Sequence, residues 1–111
     1  MADYVPDRGD IVDINFDPTK GKEQAHERPA LVLTPKKFNE YSGLALLAPI
    51  TSSIRGNLFE VPFNTPDTKG VVLTHQVRMI DYKARKCTRR DTIPALVLKE
   101  ALGKVRALVS E

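Results

Sequence analysis

The chain has few of the residues that build disulfides, metal sites and aromatic stacking surfaces. Its 111 residues include one cysteine, two histidines and no tryptophan, and aromatic residues make up 6%. The single cysteine, Cys87, excludes an intrachain disulfide, which fits a reducing compartment. One cysteine and two distant histidines also give little support for a zinc site. We expect no metal site, and we predict no other cofactor.

Long hydrophobic runs are absent as well. No apolar run approaches the roughly 20 residues of a membrane-spanning helix, and the N-terminal residues lack a signal-peptide core. We expect a cytoplasmic protein with no membrane contact. A hydrophobic content of 41% is typical of a folded chain, and the length suits one domain covering residues 1–111. The net charge of +3 fits an anionic partner without requiring one.

Most of the sequence is typical of short β-strands separated by turns. Apolar runs and alternating patterns predict strands at 10–16, 29–35, 44–50, 58–63, 71–74 and 76–82, with a further short one at 87–88. The strand at 44–50 is almost wholly apolar, which predicts burial on both faces. In the strand at 58–63, Phe59, Val61 and Phe63 form the better-buried face and Glu60 lies on the other. Polar stretches at 35–43 and 51–57 are predicted loops.

The C-terminal segment changes period. From Pro94 to Ser110, apolar residues recur at helical spacing, and Pro94 suits the first turn of a helix. Thr92 is a candidate cap, and Gly103 suggests a close contact, since a glycine there costs about 1 kcal/mol. Together the elements predict a mainly β protein, a small barrel or strongly bent sheet with a C-terminal α-helix packed against it.

The loop between the first two strands is the main candidate site. It is about a dozen residues long, whereas hairpin loops usually have two to five, and long loops are often functional. Its charged residues are Lys20, Lys22, Glu23, His26 and Arg28.

Five short motifs follow one another along the chain. They are Val5-Pro6-Asp7-Arg8-Gly9-Asp10, Phe16-Asp17-Pro18-Thr19-Lys20-Gly21 with Glu23-Gln24, Arg28-Pro29-Ala30-Leu31-Val32-Leu33, Pro49-Ile50-Thr51-Ser52, and His75-Gln76-Val77. In these motifs, their order and their spacing, the chain resembles the MazF/PemK family of toxin endoribonucleases over essentially its whole length. The family usually has Asp where this chain has His75.

The resemblance implies the toxin of a type II toxin–antitoxin system, with a partly open SH3-like barrel of the CcdB/MazF type. Such a toxin is a sequence-specific, metal-independent endoribonuclease that cleaves single-stranded RNA (mRNA) and so inhibits translation and growth. The family also implies a homodimer and a cognate antitoxin with an acidic disordered tail.

Metal-free cleavage proceeds by attack of the 2′-hydroxyl on phosphorus and leaves a 2′,3′-cyclic phosphate and a 5′-hydroxyl. Arg28 suits stabilisation of the phosphorane, because its guanidinium is always charged and can meet two oxygens. The Thr51 hydroxyl is a candidate for holding a phosphate oxygen, and Glu23 is the candidate general base. Without the resemblance, a salt-bridged Arg28 and a turn residue at Thr51 are the favoured interpretations, and a solvated Glu23 is as ordinary as a general base.

Other residues are candidates for holding the RNA. These are Lys20, Gln24, Asn39, Ser52, Ser53, Arg55, His75, Gln76, Arg85 and Lys86. The last two belong to a basic run at 83–90 that suits RNA phosphates or antitoxin carboxylates, although such a run is usually a solvated face. A rival scheme shares acid and base duties between His26 and His75.

Two other functions compete with the nuclease. One is a non-enzymatic, CcdB-like gyrase-binding toxin, against which the absence of tryptophan speaks, because those proteins end in a Trp-Gly-Ile tail. The other is an SH3-like module that binds RNA or protein, which gives Glu23, Arg28 and Thr51 no common purpose.

Overall fold

The computed structural model describes residues 3–16 and 27–110. In these ranges the chain forms seven strands, two α-helices and one 3₁₀ turn. In chain order they are β1 (Asp10–Ile14), β2 (Arg28–Val32), α1 (Lys36–Ser42), β3 (Ala45–Thr51), β4 (Glu60–Asn64), β5 (Lys69–Leu73), the 3₁₀ turn (Thr74–Gln76), β6 (Arg78–Ile80), β7 (Thr88–Thr92) and α2 (Ala95–Leu108).

The strands form one antiparallel sheet in the order β4-β5-β3-β2-β1-β7, with β6 paired to β3. β3 joins its two parts, since its residues 45–47 pair with β6 and Ile50 and Thr51 pair with β5. Its residues 47–49 pair with β2 along the opposite edge. The sheet curls into a half-barrel with a C-terminal helix, which confirms the predicted mainly β, partly open barrel.

Both faces of the sheet are buried. On one face Ile11, Leu31 and Ile50 pack with residues of α2, and on the other Val12 and Leu47 pack with further core residues. Neighbours along a strand point to opposite faces, so a strand buried on both sides needs an unbroken apolar sequence. The prediction that the strand at 44–50 is buried on both faces is confirmed.

Several predicted boundaries change. The strand expected at 76–82 is shortened to β6, because the 3₁₀ turn covers Thr74–Gln76, and β7 extends to Thr92. The prediction for Glu60 was wrong, since this residue is as enclosed as its apolar neighbours, at 7% exposed. Its carboxylate is accommodated by hydrogen bonds from backbone amides.

The predicted loop at 35–43 contains a helix, α1, so that prediction was wrong. The helix ends at Gly43, whose φ of +76° is left-handed and whose amide donates to the Asn39 carbonyl at 2.9 Å. Tertiary bonds stabilise this short helix, because the Tyr82 hydroxyl also donates to that carbonyl, at 2.9 Å. An isolated helix of seven residues is marginal without such contacts.

The predicted C-terminal helix is confirmed as α2, which begins directly after Pro94. Val97, Leu98, Ala101, Leu102 and Val105 pack against the sheet. Two details were wrong. Thr92 ends β7, and no side chain in the described ranges caps the start of the helix. Gly103 is exposed, with no described atom within 4 Å of the position of an added Cβ. In the described ranges, neither helix has the length and apolarity needed to cross a bilayer.

Candidate functional site

Arg28 and Thr51 lie at facing ends of neighbouring strands. Arg28 begins β2, and Thr51 is the last residue of β3. The β2–β3 ladder pairs Ala30 with Pro49, and two more steps of this antiparallel register place Arg28 opposite Thr51. The sheet therefore brings together two residues that are 23 positions apart in the sequence.

The Arg28 side chain is available to a ligand. The residue is exposed, and its guanidinium has no hydrogen bond or ion pair with any residue in 3–16 or 27–110. A guanidinium presents its donors in a planar fork that matches phosphate or carboxylate oxygens. The salt-bridge interpretation of Arg28 thus has no described partner to support it.

Thr51 has its hydroxyl at the rim of a loop. The Ser53 amide donates to its Oγ1 at 3.1 Å, which fixes the oxygen as an acceptor and leaves the hydroxyl proton for another group. This contact is also the local turn bond that the ordinary interpretation of Thr51 predicts. Both roles are compatible in one side chain.

Arg28 and Thr51 line two adjoining cavities, which we call the cleft. The larger cavity, of about 530 Å³, is also lined by Ser53, Arg55, Asn57, Glu60, Leu73, His75 and Gln76. The smaller, of about 300 Å³, is lined by Arg28, Thr51, Leu73 and Gln76 together with Phe16, Pro49, Ile50, Val77 and Arg78. The described lining carries three arginine side chains and one carboxylate. Its net charge is therefore positive, which favours binding of an anion.

The 3₁₀ turn places two of the predicted residues on the wall of the cleft. His75 and Gln76 are both exposed, and the His75 ring lies 6.1 Å from the ring of Phe59, tilted by 39°. Thr74 holds the turn in place, because its buried hydroxyl donates to the Phe59 carbonyl at 2.5 Å. The structure thus brings together Arg28, Thr51, Ser53, Arg55, His75 and Gln76.

Ser52 faces elsewhere. It lines a separate, mostly apolar groove with Ile54, Pro62, Phe63, Asn64, Lys69 and Gly70. Successive residues of an extended chain point to opposite sides, so Ser52 and Ser53 do not share a cavity.

Asn39 does not lie at the site, and its predicted role in substrate binding is contradicted. It is fully buried, and its side chain accepts from the Thr34 hydroxyl and donates to the carbonyls of Pro6 and Thr34, at 2.6, 2.8 and 2.9 Å. With its hydrogen-bonding groups used inside the protein, it joins α1 to the N-terminal segment.

Arg85 and Lys86 are also outside the residues that line the cleft. Arg85 donates to the carbonyls of Asn15 and Phe16, so it supports the chain at the end of β1. Lys86 lines a cavity of about 220 Å³ together with Tyr4 and Cys87.

Cys87 is the single cysteine of the chain. Burial, with smaller effects of Asp10 and Asp13, raises the pKa of its thiol to about 12.

Four predicted residues lie outside the described part of the chain. They are Lys20, Glu23, Gln24 and His26. In the part that is described, no three His, Cys, Asp or Glu side chains come together as a potential metal site.

Sequence reasoning missed three polar residues among the described residues that line the cleft. Asn57 and Glu60 stand on either side of a turn and looked like ordinary loop and strand residues. Arg78 looked like a strand residue, but its guanidinium lies over the Phe16 ring, 5.5 Å from the centroid. The only available signal for Glu60 was a charge within an otherwise apolar run.

The described residues therefore define a small half-barrel protein with a cationic, hydroxyl-bearing cleft where two central strands end. The family of PemK-like, MazF-like toxins of type II toxin–antitoxin systems matches residues 7–109. This match spans nearly the whole sequence, and the chain belongs to that family.

Individual relatives agree in both sequence and structure. The chain is 41% identical over 109 residues to the endoribonuclease toxin MazF of Escherichia coli K12, which covers 98% of both proteins. It is similar to the crystal structure of MazF from Deinococcus radiodurans, with a TM-score of 0.86 and 42% identity over 96% of this chain and 98% of that one. A MazE-MazF crystal structure from the same organism also gives a TM-score of 0.86, at 38% identity over 96% and 97% of the two chains.

Proposed function

We propose that this toxin is a sequence-specific endoribonuclease that cleaves single-stranded RNA, including mRNA, without a metal ion, and thereby inhibits translation and growth. Membership of the toxin family and the endoribonuclease name of the E. coli relative support the proposal. The observation that carries it is the placement of Arg28 and Thr51 at facing positions in one cationic cleft.

The cleft suits attack by the RNA's own 2′-oxygen. That oxygen bonds to phosphorus as its proton passes to a base, and the bond to the 5′-oxygen breaks as that oxygen gains a proton. The products are a 2′,3′-cyclic phosphate and a 5′-hydroxyl. The reaction passes from substrate to products through a phosphorane, which carries one more negative charge than the phosphodiester. Stabilising such charge is often the largest catalytic effect.

Arg28 and Thr51 supply that stabilisation. The guanidinium of Arg28 approaches two phosphorane oxygens, and the Thr51 hydroxyl donates its proton to one of them, since its oxygen already accepts from the Ser53 amide. A guanidinium is a poor proton donor at neutral pH, because its pKa exceeds about 12. The proton transfers therefore belong to other groups.

For the general base we propose Glu23, on the resemblance to the family, with Lys20 and Gln24 as RNA ligands in the same segment. Ser53, Arg55, His75 and Gln76 line the cleft, which supports their assignment as RNA ligands beside the reacting phosphate. The rival pair of His26 and His75 remains a second scheme for proton transfer. If the histidine scheme holds, His75→Ala should lose most of the cleavage rate. If the Glu23 scheme holds, Glu23→Gln should lose most of it.

The proposed partners are a second copy of the chain and a cognate antitoxin with an acidic, disordered tail, all in the cytoplasm. The type II family and a relative crystallised as MazE-MazF support the antitoxin. The homodimer rests on the resemblance, and closed two-fold pairs are the commonest oligomers. Sedimentation at micromolar concentration should show a dimer, and a fully active monomer would contradict it.

The test is cleavage of a long unstructured RNA in excess EDTA, with the ends of the fragments mapped. We expect cleavage to persist, the 5′ ends to carry hydroxyls and the 3′ ends to carry cyclic phosphates. Arg28→Ala, purified identically, controls for contaminating nucleases. Loss of activity in EDTA with recovery on added magnesium would refute the metal-free mechanism.

A further inference from the structure

Among the described residues that line the cleft, one buried carboxylate has no part in the proposed chemistry. Glu60 is 7% exposed, begins β4 and pairs with Leu73 at the end of β5. Burying a carboxylate is costly unless its oxygens are hydrogen-bonded. Its hydrogen-bond partners therefore indicate why the residue is there.

Those partners are two successive amides of the loop between β3 and β4. The Gly56 amide donates to Oε1 at 3.1 Å, and the Arg55 amide donates to Oε1 and Oε2 at 3.2 and 3.4 Å. Gly56 has a φ of +74°, a left-handed value that favours glycine. Adjacent amides that converge in this way form an anion-binding concavity, and here the anion is the protein's own Glu60.

Further bonds hold the rest of the loop. The Glu60 amide donates to the Asn57 carbonyl at 3.1 Å, and the Phe59 amide donates to the Asn57 side chain at 2.7 Å. At the other end, the Ser53 amide donates to Thr51. Between these two ends, the carboxylate of Glu60 is the side chain that holds the amides of residues 55 and 56.

The same loop supplies one side of the cleft. Ser53, Arg55 and Asn57 line the larger cavity together with Arg28. We propose that Glu60 is a positioning residue: by holding the loop amides, it places these three side chains where they contact RNA beside the scissile phosphate. This inference rests on the proposed nuclease function and extends it to the residue that prepares the binding wall.

The proposal separates binding from chemistry. Glu60 does not hold Arg28, so removing it should disorder the RNA-binding wall and leave the Arg28 end of β2 in place. In Glu60→Ala we expect KM for a short RNA to rise by about tenfold or more, because a buried hydrogen bond to a charged group is lost. We expect kcat to change by less than about threefold, a small effect on the barrier.

The matched set is Glu60→Ala, Glu60→Gln and Glu40→Gln. Glutamine keeps one acceptor oxygen for the two amides, so its KM should lie between those of the wild type and the alanine variant. Glu40 is an exposed carboxylate on α1, and its replacement by glutamine should leave both constants unchanged. Hydrogen exchange of the Arg55 and Gly56 amides gives a second readout that needs no RNA, and both should exchange faster in Glu60→Ala while amides of β2 stay protected.

Each result is decisive. Unchanged amide exchange and unchanged KM in Glu60→Ala would overturn the positioning role, and so would an equal fall in kcat for the Ala and Gln variants. If Glu60→Ala does not fold, the intermediate KM and faster amide exchange of Glu60→Gln carry the test. If the wild type cleaves no RNA, the proposed nuclease function fails, whereas cleavage that is indifferent to Glu60 refutes this inference alone.

Discussion

At the residue scale, burial decides what a polar side chain does. Asn39 is fully buried and uses its side chain to join α1 to the N-terminal segment, whereas Arg28 is exposed at a strand end. Both are polar residues beside apolar strands in the sequence. Only the environment separates a structural amide from a guanidinium that is open to a ligand.

Arg28→Ala should abolish most cleavage and keep the fold, because the exposed side chain leaves no cavity behind. We expect a fall in kcat/KM of at least about a hundredfold, the effect of losing one donor to a developing oxyanion. Arg28→Lys should recover little, since an ammonium lacks the planar fork. The measurement is single-turnover cleavage beside circular dichroism, with Arg106→Ala on the exposed part of α2 as the control.

A near-normal rate for Arg28→Lys would refute the two-pronged contact. A similar loss in Arg106→Ala would indicate that net charge, rather than the position of Arg28, governs the rate.

The charged carboxylate of Asp91 should contribute to the free energy of unfolding, and this contribution should be lost in acid. The Thr65 hydroxyl and the Thr92 amide donate to its carboxylate and, with Arg89 and Arg90, hold its pKa below the ordinary 3.8. A group with a lowered folded-state pKa contributes stability above its unfolded pKa and loses it as the pH falls through the folded value. Asp91→Asn should therefore be less stable than the wild type at pH 7, with the difference shrinking below about pH 4.

Urea unfolding at a series of pH values measures this difference. Asp67→Asn, an exposed carboxylate in the neighbouring turn, is the control. A difference that stays constant from pH 7 to the acid range would show that the charge of Asp91 is not responsible.

At the scale of elements, the cleft depends on how closely two strands approach. β3 carries Thr51, and β5 passes it at Gly70. A Cβ added to Gly70 would lie 2.4 Å from the Thr51 carbonyl oxygen and 3.1 Å from its carbonyl carbon. These are backbone atoms that cannot turn aside as a flexible side chain can, so the glycine permits the position of Thr51.

Gly70→Ala should displace Thr51 and lower cleavage by about tenfold or more, because small misplacements in an active site are expensive. It should also destabilise the fold by about 1–3 kcal/mol, as overpacking does. Gly103→Ala on the exposed side of α2 is the matched control, and it should stabilise the helix by about 0.4–1 kcal/mol without changing activity. Thermal unfolding and cleavage assays on both variants test the contrast.

If Gly70→Ala cleaves RNA at the wild-type rate, the position of Thr51 is not critical. A loss of stability alone would limit the role of Gly70 to packing.

At the scale of the whole molecule, charge and shape together favour an acidic or phosphate-bearing partner. The sequence has a net charge of +3, and Arg28, Arg55 and Arg78 are gathered at one cleft. Such a surface attracts an acidic peptide tail for the same reason that it attracts RNA. RNA and the proposed inhibitor would therefore compete for one surface on the toxin.

A peptide from the antitoxin's acidic tail should displace an uncleavable RNA analogue, in which the attacking 2′-hydroxyl is replaced. Its affinity should fall as salt is raised, but only in part, because salt screens charges and leaves buried apolar contacts unaffected. A competition titration by fluorescence anisotropy at two salt concentrations measures both effects. A scrambled peptide of the same composition is the control, and simultaneous full binding of peptide and RNA would contradict a shared surface.

Much of the fold follows from local patterns. The apolar run of β3 predicted a strand buried on both faces, and the helical spacing after Pro94 predicted α2, because in each case the period of the pattern matches the period of the element. The family motifs also predict Arg28 and Thr51 as site residues, and their catalytic roles stay predictions. α1 was missed because seven mostly polar residues have little helical signal of their own.

Tertiary structure alone decided which polar residues meet. The β2–β3 register places Arg28 opposite Thr51, the curl of the sheet brings the 3₁₀ turn beside them, and the loop amides enclose Glu60. These contacts join positions up to tens of residues apart, and one-dimensional spacing contains no information about which strand edges pair. The sequence determined the elements and their chemistry, and the packing of the sheet determined the cleft, since burial and proximity exist only after the chain has folded.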